Sequence, residues 1–180
     1  GRERSLPAKV LVAEIKEAAR AGYREVVLLG QTVNAYRHDG VDFGALLRMC
    51  AAVEGIERVR FTSPHPADMT GSTIAAMVEC PEVCPYLHLP LQSGSDRVLA
   101  DMDRGYTTGE YRSLVGRLRS AIGPLSLSTD IIVGYPGETE EEFEATSSFM
   151  AEIGFDHAFL FKYSRREATR AYKLVETVSE

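Results

Sequence analysis

The sequence predicts an α/β fold built on a parallel sheet, because three features of the chain agree. Segments typical of helices alternate with short apolar segments typical of strands, about once every 30 residues. The apolar segments are rich in Val, Ile and Leu, as parallel strands covered on both faces are. The chain has 180 residues, whereas a complete eight-stranded barrel needs about 250. The pattern therefore fits either an open doubly wound sheet or an incomplete βα barrel.

The first half of the chain alternates three helices with three strands. The apolar periodicity predicts helices over 8–21, 42–53 and 70–79, and strands over 25–29, 58–62 and 86–89. Gly22 is expected to end the first helix, Asp42 to cap the second, and Thr70 or Ser72 to cap the third. The apolar run at 25–29 has the form of a buried parallel strand.

The second half continues the alternation. One or two helices are expected over 94–121, with a break near Gly105. Strands are expected over 125–133 and 155–163, and an amphipathic helix over 139–153 that turns Phe143, Phe149, Met150 and Ile153 inward. No linker or low-complexity segment interrupts the pattern, so a single domain over 1–180 is expected.

Composition narrows the class of protein. Lys and Arg total 20 and Asp and Glu total 26, which gives a net charge of −6. The 44% of apolar residues is enough to form a core, which excludes disorder as the dominant state. No apolar run approaches the roughly 20 residues of a membrane span.

The acidic balance argues against a purely electrostatic nucleic-acid binder. The three cysteines argue against a disulfide framework, and the absence of a signal peptide predicts a cytoplasmic protein.

Polar or small residues follow every predicted strand, and in parallel βα folds such strand ends carry the functional groups. Each group also has a structural explanation: Gly30 and Gly94 suit turns, and His65 lies in a rigid turn between two prolines. Ser93 and Thr139 suit helix caps, and Thr139 has the capping-box partner Glu142 three residues on. Taken together, the strand ends predict one concave polar site for a small ligand.

Two further patterns bear on the site. Ser128 and Asp130 lie two apart on a predicted strand, so they share a face, where a buried carboxylate needs a partner. Cys80 and Cys84 copy the first two positions of a CxxxCxxC iron–sulfur run, but Leu87 stands at the third. Structural roles are therefore expected for these two cysteines, and Cys50 is expected in the core.

The strand-end segments, in this order, resemble the radical S-adenosylmethionine (SAM) methylthiotransferases. The resemblance covers residues 1 to about 171 and rests on LLGQTVNAYR (28–37), FTSPHP (61–66), LHLPLQSGSDRVLADMDRGYT (87–107), STDIIVGYPGETEEEF (128–143) and KYSRREATRA (162–171). Within the family, the GQTVNAYR segment is similar to the MiaB-type branch, which acts on tRNA. The fold that the resemblance implies is a partial (βα)6 TIM-like barrel of the radical SAM type.

The resemblance also implies a reaction, namely methylthiolation of carbon 2 of N6-isopentenyladenosine at position 37 of tRNA. In such enzymes a 4Fe-4S cluster reduces SAM to a deoxyadenosyl radical, which removes a hydrogen from the adenine. A second cluster supplies sulfur and a second SAM supplies the methyl group. The implied partners are the tRNA substrate and a reducing electron donor such as flavodoxin or ferredoxin, with no membrane.

Site residues are implied by matching positions. Gln31 and Asn34 would lie near the methionine part of SAM, Gln92 and Ser93 would line the site, and Ser128 and Asp130 would meet the ribose or amino-acid part. The segment 131–138 would lie on the adenine side, with Gly134, Pro136, Gly137 and Glu138 as its cofactor-binding residues. Ser63, His65, and Arg165 or Arg166 would lie on the substrate side.

In the family, the three cluster cysteines lie just upstream of the position that Gly1 matches. The first barrel strand, the cluster loop, the upstream cluster domain and the downstream RNA-binding domain are therefore expected to be absent from this chain, as are catalytic residues and metal ligands. On that basis the 180 residues alone are expected to be inactive. Two alternatives stay open: a ribosomal-protein aspartate methylthiotransferase, and a degenerate module that binds SAM or RNA without catalysis.

Overall fold

The structure, a computed structural model, describes residues 4–165 and residue 171. The chain forms two units with dense internal contacts. The first comprises Gly1–His88 and Arg117–Leu125, and the second comprises Leu89–Gly116 and Ser126–Glu180.

The first unit carries eight α-helices and β-strands in its leading segment, together with short 3-10 turns at Val33–Ala35 and Pro66–Asp68. The helices and strands are α1 (Ala8–Arg20), β1 (Glu25–Leu28), β2 (Arg37–His38), β3 (Val41–Asp42), α2 (Phe43–Ala51), β4 (Arg58–Phe61), α3 (Gly71–Glu79) and β5 (Tyr86–His88). Strands β1 and β4 are parallel, with Glu25 opposite Arg58 and Leu28 opposite Phe61. Asp42 accepts from the Ala45 N–H and Thr70 accepts from the Thr73 N–H, which confirms the predicted caps of α2 and α3.

The core of the first unit includes residues of strand β4 and helix α2. The rings of Phe43 and Phe61 meet edge to face with centroids 5.1 Å apart, and Leu47 and Val59 are fully buried. Strands β2 and β3 form an antiparallel hairpin that the periodicity did not predict. Its turn uses Asp39 and Gly40, both with positive φ, the backbone combination of a two-residue type I′ hairpin turn.

The second unit carries the remaining elements. They are α4 (Asp96–Asp101), the first part of α5 (Thr108–Ile122), β6 (Ser126–Val133), α6 (Glu140–Ile153) and β7 (His157–Lys162). Strands β6 and β7 are parallel, with Ser128 opposite His157 and Val133 opposite Lys162. The Thr139–Glu142 capping box at the start of α6 is present as predicted. The core includes Leu91, Leu127 and Ile131, together with Tyr111, whose hydroxyl donates to the Leu89 carbonyl at 2.7 Å.

Two burial predictions are wrong. The apolar run at β1 was expected to be buried, yet Val27 is 44% exposed and Leu29 is 77% exposed. An apolar run in the sequence does not show whether one or both faces of the strand are packed against other elements of the unit. Phe143 was expected inward, but it lies in the first turn of α6 and is 44% exposed, whereas Phe149 and Ile153 are buried.

A close approach fixes the turn before α4 against α6. A Cβ built on Gly94 would lie 2.5 Å from the Cα of Thr146, so this position accepts only glycine without a shift of the backbone. The Thr146 hydroxyl accepts a hydrogen bond from the Gly94 N–H at 2.9 Å. The turn and the helix are therefore in direct backbone contact.

Candidate functional site

The second unit contains a cavity of about 780 Å³ at the carboxyl ends of β6 and β7. Its polar lining comes from both strands, from the segment before α4 and from the loop after it. The residues that line it are Gln92, Asp101, Met102, Asp103, Arg104, Asp130, Ile132, Tyr135, Phe161, Lys162, Tyr163, Ser164 and Ala171. A mixed polar and aromatic lining of this size suits a ligand as large as a nucleoside derivative.

Unsatisfied polar atoms mark this cavity. Among the described residues, four buried side-chain atoms have no hydrogen-bond partner: Gln92 Oε1, Arg104 Nε, Glu138 Oε1 and Tyr163 OH. Three of the four belong to residues that line the cavity. Because native proteins pair nearly all buried polar groups, such a concentration indicates atoms that a bound ligand would satisfy.

Gln92 has an unusual backbone for a residue with a side chain. Its φ is 73°, in the left-handed region, and the residue is 7% exposed. The N–H of Gln92 donates to the Asp130 carbonyl at 2.8 Å, and its carbonyl accepts from the Ile132 N–H at 2.9 Å. Both bonds to β6 hold the strained conformation and aim an amide side chain at the cavity. Strain of this kind costs about 1–3 kcal/mol and is concentrated at functional sites.

The loop after β6 gathers four of the predicted residues. Pro136 and Gly137 form the middle of a turn closed by the Glu138 N–H and the Tyr135 carbonyl at 2.8 Å, and Gly137 has φ 81°. Proline second and a left-handed glycine third is the pattern of a type II turn. Glu138 Oε2 accepts from the Gly134 N–H at 2.6 Å, so the carboxylate braces the loop with one oxygen and leaves Oε1 unpaired.

Ser93 and Ser128 lie inside the fold, outside the cavity lining. The Ser93 hydroxyl accepts from the Ser95 N–H at 3.1 Å. Ser95, rather than Ser93, is the N-cap of α4, because its hydroxyl accepts from the Val98 N–H. Asp130 is two residues from Ser128 on β6, as the spacing predicted, and it does line the cavity.

Two of the predicted residues of the first unit, Asn34 and His65, are joined by hydrogen bonds. The Asn34 side chain bonds the His65 backbone twice, from Nδ2 to the carbonyl at 2.9 Å and from the His65 N–H to Oδ1 at 2.8 Å. The Asn34 amide therefore joins the loops that follow β1 and β4. Gln31 is exposed beside a cavity of about 680 Å³, and Ser63 is exposed with φ 56°.

Of the two arginines expected on the substrate side, Arg165 is exposed, and Arg166 lies outside the described residues.

The cysteines occupy structural positions. Cys50 is fully buried in α2, which confirms it as a core residue, and burial raises the pKa of its thiol to about 11. The Cys80 N–H ends α3 by donating to the Ala76 carbonyl, and the Cys84 N–H donates to the Val59 carbonyl at 3.0 Å. Within residues 4–165 and 171, no three His, Cys, Asp or Glu side chains gather as metal ligands.

An ion pair between Arg97 and Glu142 joins α4 to α6 in the second unit. Both carboxylate oxygens of Glu142 accept from the Arg97 guanidinium, and this pairing lowers the pKa of Glu142 to about 2. Thr139 and Ser95 also donate to this carboxylate. Arg97 is half-exposed, so solvent screens part of the attraction.

The Glu142 pair predicts a loss of stability in acid. The folded pKa of about 2 lies below the ordinary 4.5, so the stabilisation is complete above pH 4.5 and is lost as the pH falls toward 2. We expect the free energy of unfolding, and with it the Tm, to fall on acidification from about pH 6 to pH 3. Glu142→Gln should reduce the fall in free energy by about 1 kcal/mol. Equal pH dependence in both proteins, measured by circular dichroism, would contradict this.

Sequence reasoning missed Arg104 and Tyr163, although both lie in segments that carry the resemblance. Their residue types gave no signal, since an arginine in a loop and a tyrosine after a strand are ordinary. Only the burial of their polar atoms distinguishes them.

A family model and curated relatives both match this chain over most or all of its length. Residues 1–150 match the Radical SAM superfamily. Relatives called tRNA-2-methylthio-N(6)-dimethylallyladenosine synthase are 47% identical in Clostridium tetani, and 48% in Methylacidiphilum infernorum and Pseudomonas paraeruginosa. Each match covers 100% of this chain but 40–42% of the relative, so the chain spans about two fifths of their length.

Solved structures share the fold. Streptococcus suis SuiB, bound to its precursor peptide SuiA, aligns over 99% of this chain and 37% of its own with TM-score 0.63 and 17% identity. Coproporphyrinogen III oxidase from Escherichia coli, described as a radical SAM enzyme, aligns over 88% and 38% with the same score and identity. These similarities confirm the predicted α/β fold class, a partial TIM-like barrel of the radical SAM type. Within residues 4–165 and 171, no helix is long and apolar enough to cross a membrane.

Proposed function

The chain belongs to the radical SAM superfamily, and we propose that it is the core of an enzyme that methylthiolates carbon 2 of N6-isopentenyladenosine at position 37 of tRNA. The observation that carries the proposal is identity of 47–48% over the whole chain to relatives named for the methylthiolated nucleoside. The described residues add a cavity at the carboxyl ends of parallel strands, which is where such folds bind ligands.

The cavity of the second unit fits SAM in the chemistry of its lining. SAM carries a cationic ammonium and sulfonium, two ribose hydroxyls and an adenine, so it needs acceptors, a carboxylate and apolar walls. Asp130 supplies the carboxylate, Gln92 Oε1 is an unpaired acceptor, and Tyr163 OH is an unpaired hydroxyl. Met102, Ile132 and Phe161 supply apolar surface that would exclude water from the bound cofactor.

In this proposal the protein binds and orients the cofactor, and the cofactor supplies the radical chemistry. Asp130 would hold a positively charged or hydroxyl-bearing part of SAM, and Gln92 would accept from an adjacent N–H or O–H. The loop of Gly134–Glu138 would present its backbone to the adenine side. The described residues do not fit a 4Fe-4S cluster, because they offer no group of three His, Cys, Asp or Glu ligands.

The same proposal covers the partners. The substrate would be tRNA, with Ser63, His65 and Arg165 on the substrate side, and the electron donor would be a reduced protein such as flavodoxin or ferredoxin. The proposed enzyme would meet both partners in the cytoplasm.

The test is nucleoside analysis. We expect the complete gene encoding this sequence, expressed in a bacterium deleted for its own methylthiolating enzyme, to restore 2-methylthio-N6-isopentenyladenosine in digested tRNA. Liquid chromatography with mass spectrometry distinguishes this nucleoside from the unmodified precursor. Accumulation of the precursor alone would refute the proposal, and a methylthio group found instead on a ribosomal-protein aspartate would redirect it.

Tyr163→Phe is expected to leave the free protein at least as stable and to weaken its binding of SAM. Tyr163→Phe removes a buried hydroxyl that lacks a partner, so the free protein should gain about 1 kcal/mol of stability or lose none. SAM binding should weaken about fivefold, because the ligand loses one hydrogen bond. Urea unfolding and calorimetry measure the two effects. A destabilised protein with unchanged affinity would show that the hydroxyl serves the fold.

A further inference from the structure

Arg97 joins three parts of the second unit through one guanidinium group. It lies on α4, and its Nε donates to Glu142 Oε1 at 2.6 Å while Nη2 reaches the other oxygen of the same carboxylate. Nη1 donates to Asp101 one turn along α4 at 2.8 Å. Nη2 also donates to the backbone carbonyl of Gly137 at 2.7 Å. One side chain thus ties α4 to α6 and to the loop after β6.

The bond to Gly137 sets this arginine apart from an ordinary surface ion pair. Exposed pairs between charged side chains contribute little, because both partners have water as an alternative. A charged donor to a backbone carbonyl instead fixes the chain at that point and is roughly twice as strong as a neutral hydrogen bond. The carbonyl belongs to the left-handed glycine of the turn, so the bond fixes the orientation of the turn itself.

Glu142 holds the guanidinium in place. Its carboxylate accepts from both Thr139 N–H and Ser95 OH, and its side chain is 17% exposed, so contacts other than Arg97 also hold it in position. The fork of Arg97 on this carboxylate leaves one N–H direction for the Gly137 carbonyl. The planar guanidinium presents these donors in fixed directions that match the carboxylate and the carbonyl together, whereas a lysine ammonium is a point charge that cannot form the two-pronged pair with the carboxylate.

We propose that Arg97 is a positioning residue for the cofactor: it fixes the Gly134–Glu138 loop in the shape that receives the adenine side of SAM. This inference rests on the proposed function for the identity of the ligand. The positioning of the loop itself stands on the three contacts of the guanidinium.

The matched control is Arg112. It lies on α5 of the same unit, pairs with both oxygens of Glu152 on α6 and is about as exposed as Arg97. Its other contact is with the Phe149 ring of α6, and its hydrogen bonds go to Glu152 rather than to the loop. Arg97→Gln and Arg112→Gln therefore each remove one arginine–glutamate pair to α6. Only the first removes the bond to Gly137.

The experiment uses the protein expressed from the complete gene. We expect Arg97→Gln to raise the dissociation constant for SAM about tenfold in calorimetry. It should also speed hydrogen exchange of the backbone amides within 134–138, apart from Pro136, which has no N–H. Arg112→Gln should change neither by more than about twofold, with a comparable fall in Tm. Arg97→Lys, which keeps the charge, should give an intermediate dissociation constant and keeps the test usable if the glutamine variant does not fold.

The inference is overturned if Arg97→Gln binds SAM as the parent does, or if both glutamine variants weaken binding equally. Failure of the parent itself to bind SAM would refute the proposed function. Hydrogen exchange would then still decide the positioning role, because it needs no ligand: unchanged exchange at residues 134–138 in Arg97→Gln would refute it.

Discussion

Replacing Gly94 with alanine is expected to lower the free energy of unfolding by about 3 kcal/mol. The added methyl group would lie 2.5 Å from the Cα of Thr146 and 2.9 Å from the carbonyl oxygen of Ala145. Both are backbone atoms of α6, which cannot rotate away as a side chain can. Relief requires the turn to move from the helix, and that movement also breaks the hydrogen bond between the Gly94 N–H and the Thr146 hydroxyl.

Gly116 provides the control for this substitution. It lies within α5, and a Cβ there would meet nothing within 4 Å. Alanine in a helix interior is favoured over glycine by about 1 kcal/mol, so Gly116→Ala should stabilise the protein. Urea unfolding of both variants gives the comparison. If Gly94→Ala lost less than about 1 kcal/mol, the turn and α6 would not be in fixed contact.

Local features of the sequence predicted local structure well. Asp42, Thr70 and Thr139 cap helices because each offers a side-chain acceptor next to an apolar periodic segment, and no distant residue is needed. The exposure of Val27 and Phe143 could not be predicted in this way, since periodicity gives the faces of an element but not which faces its neighbours cover.

For the candidate site, the sequence patterns pointed to segments of the chain rather than to individual atoms. Gln92 and Asp130 were expected at one site and do line one cavity. The left-handed backbone of Gln92 was invisible in the sequence, because it results from hydrogen bonds to β6, a strand more than 30 residues later. Asn34 shows the opposite case: it lies at a predicted site position, but both ends of its amide bond the His65 backbone. A resemblance identifies the segment, and the hydrogen bonds show what each side chain is free to do.

Asp130→Asn is expected to weaken SAM binding by about tenfold to a hundredfold. The substitution keeps the shape of the side chain and removes its negative charge, and hydrogen bonds to charged groups contribute about 1.5–3 kcal/mol. Asp130 lies on β6 with its side chain at a cavity whose ligand, in the proposed function, is a cation. The loss should therefore appear in affinity, and the fold should be retained, since an amide occupies the same volume as the carboxylate.

Glu144→Gln separates this effect from the loss of one negative charge in the same unit. Glu144 is exposed on α6 and lies outside the cavity lining, so its neutralisation should leave SAM affinity within about twofold. Calorimetry on the protein from the complete gene measures both variants. A specific loss in Asp130→Asn would support direct binding of the cofactor by this carboxylate. Unchanged affinity would remove Asp130 from the site. Gln92, Arg104 and Tyr163 would remain, because their unpaired buried atoms do not depend on the charge of Asp130.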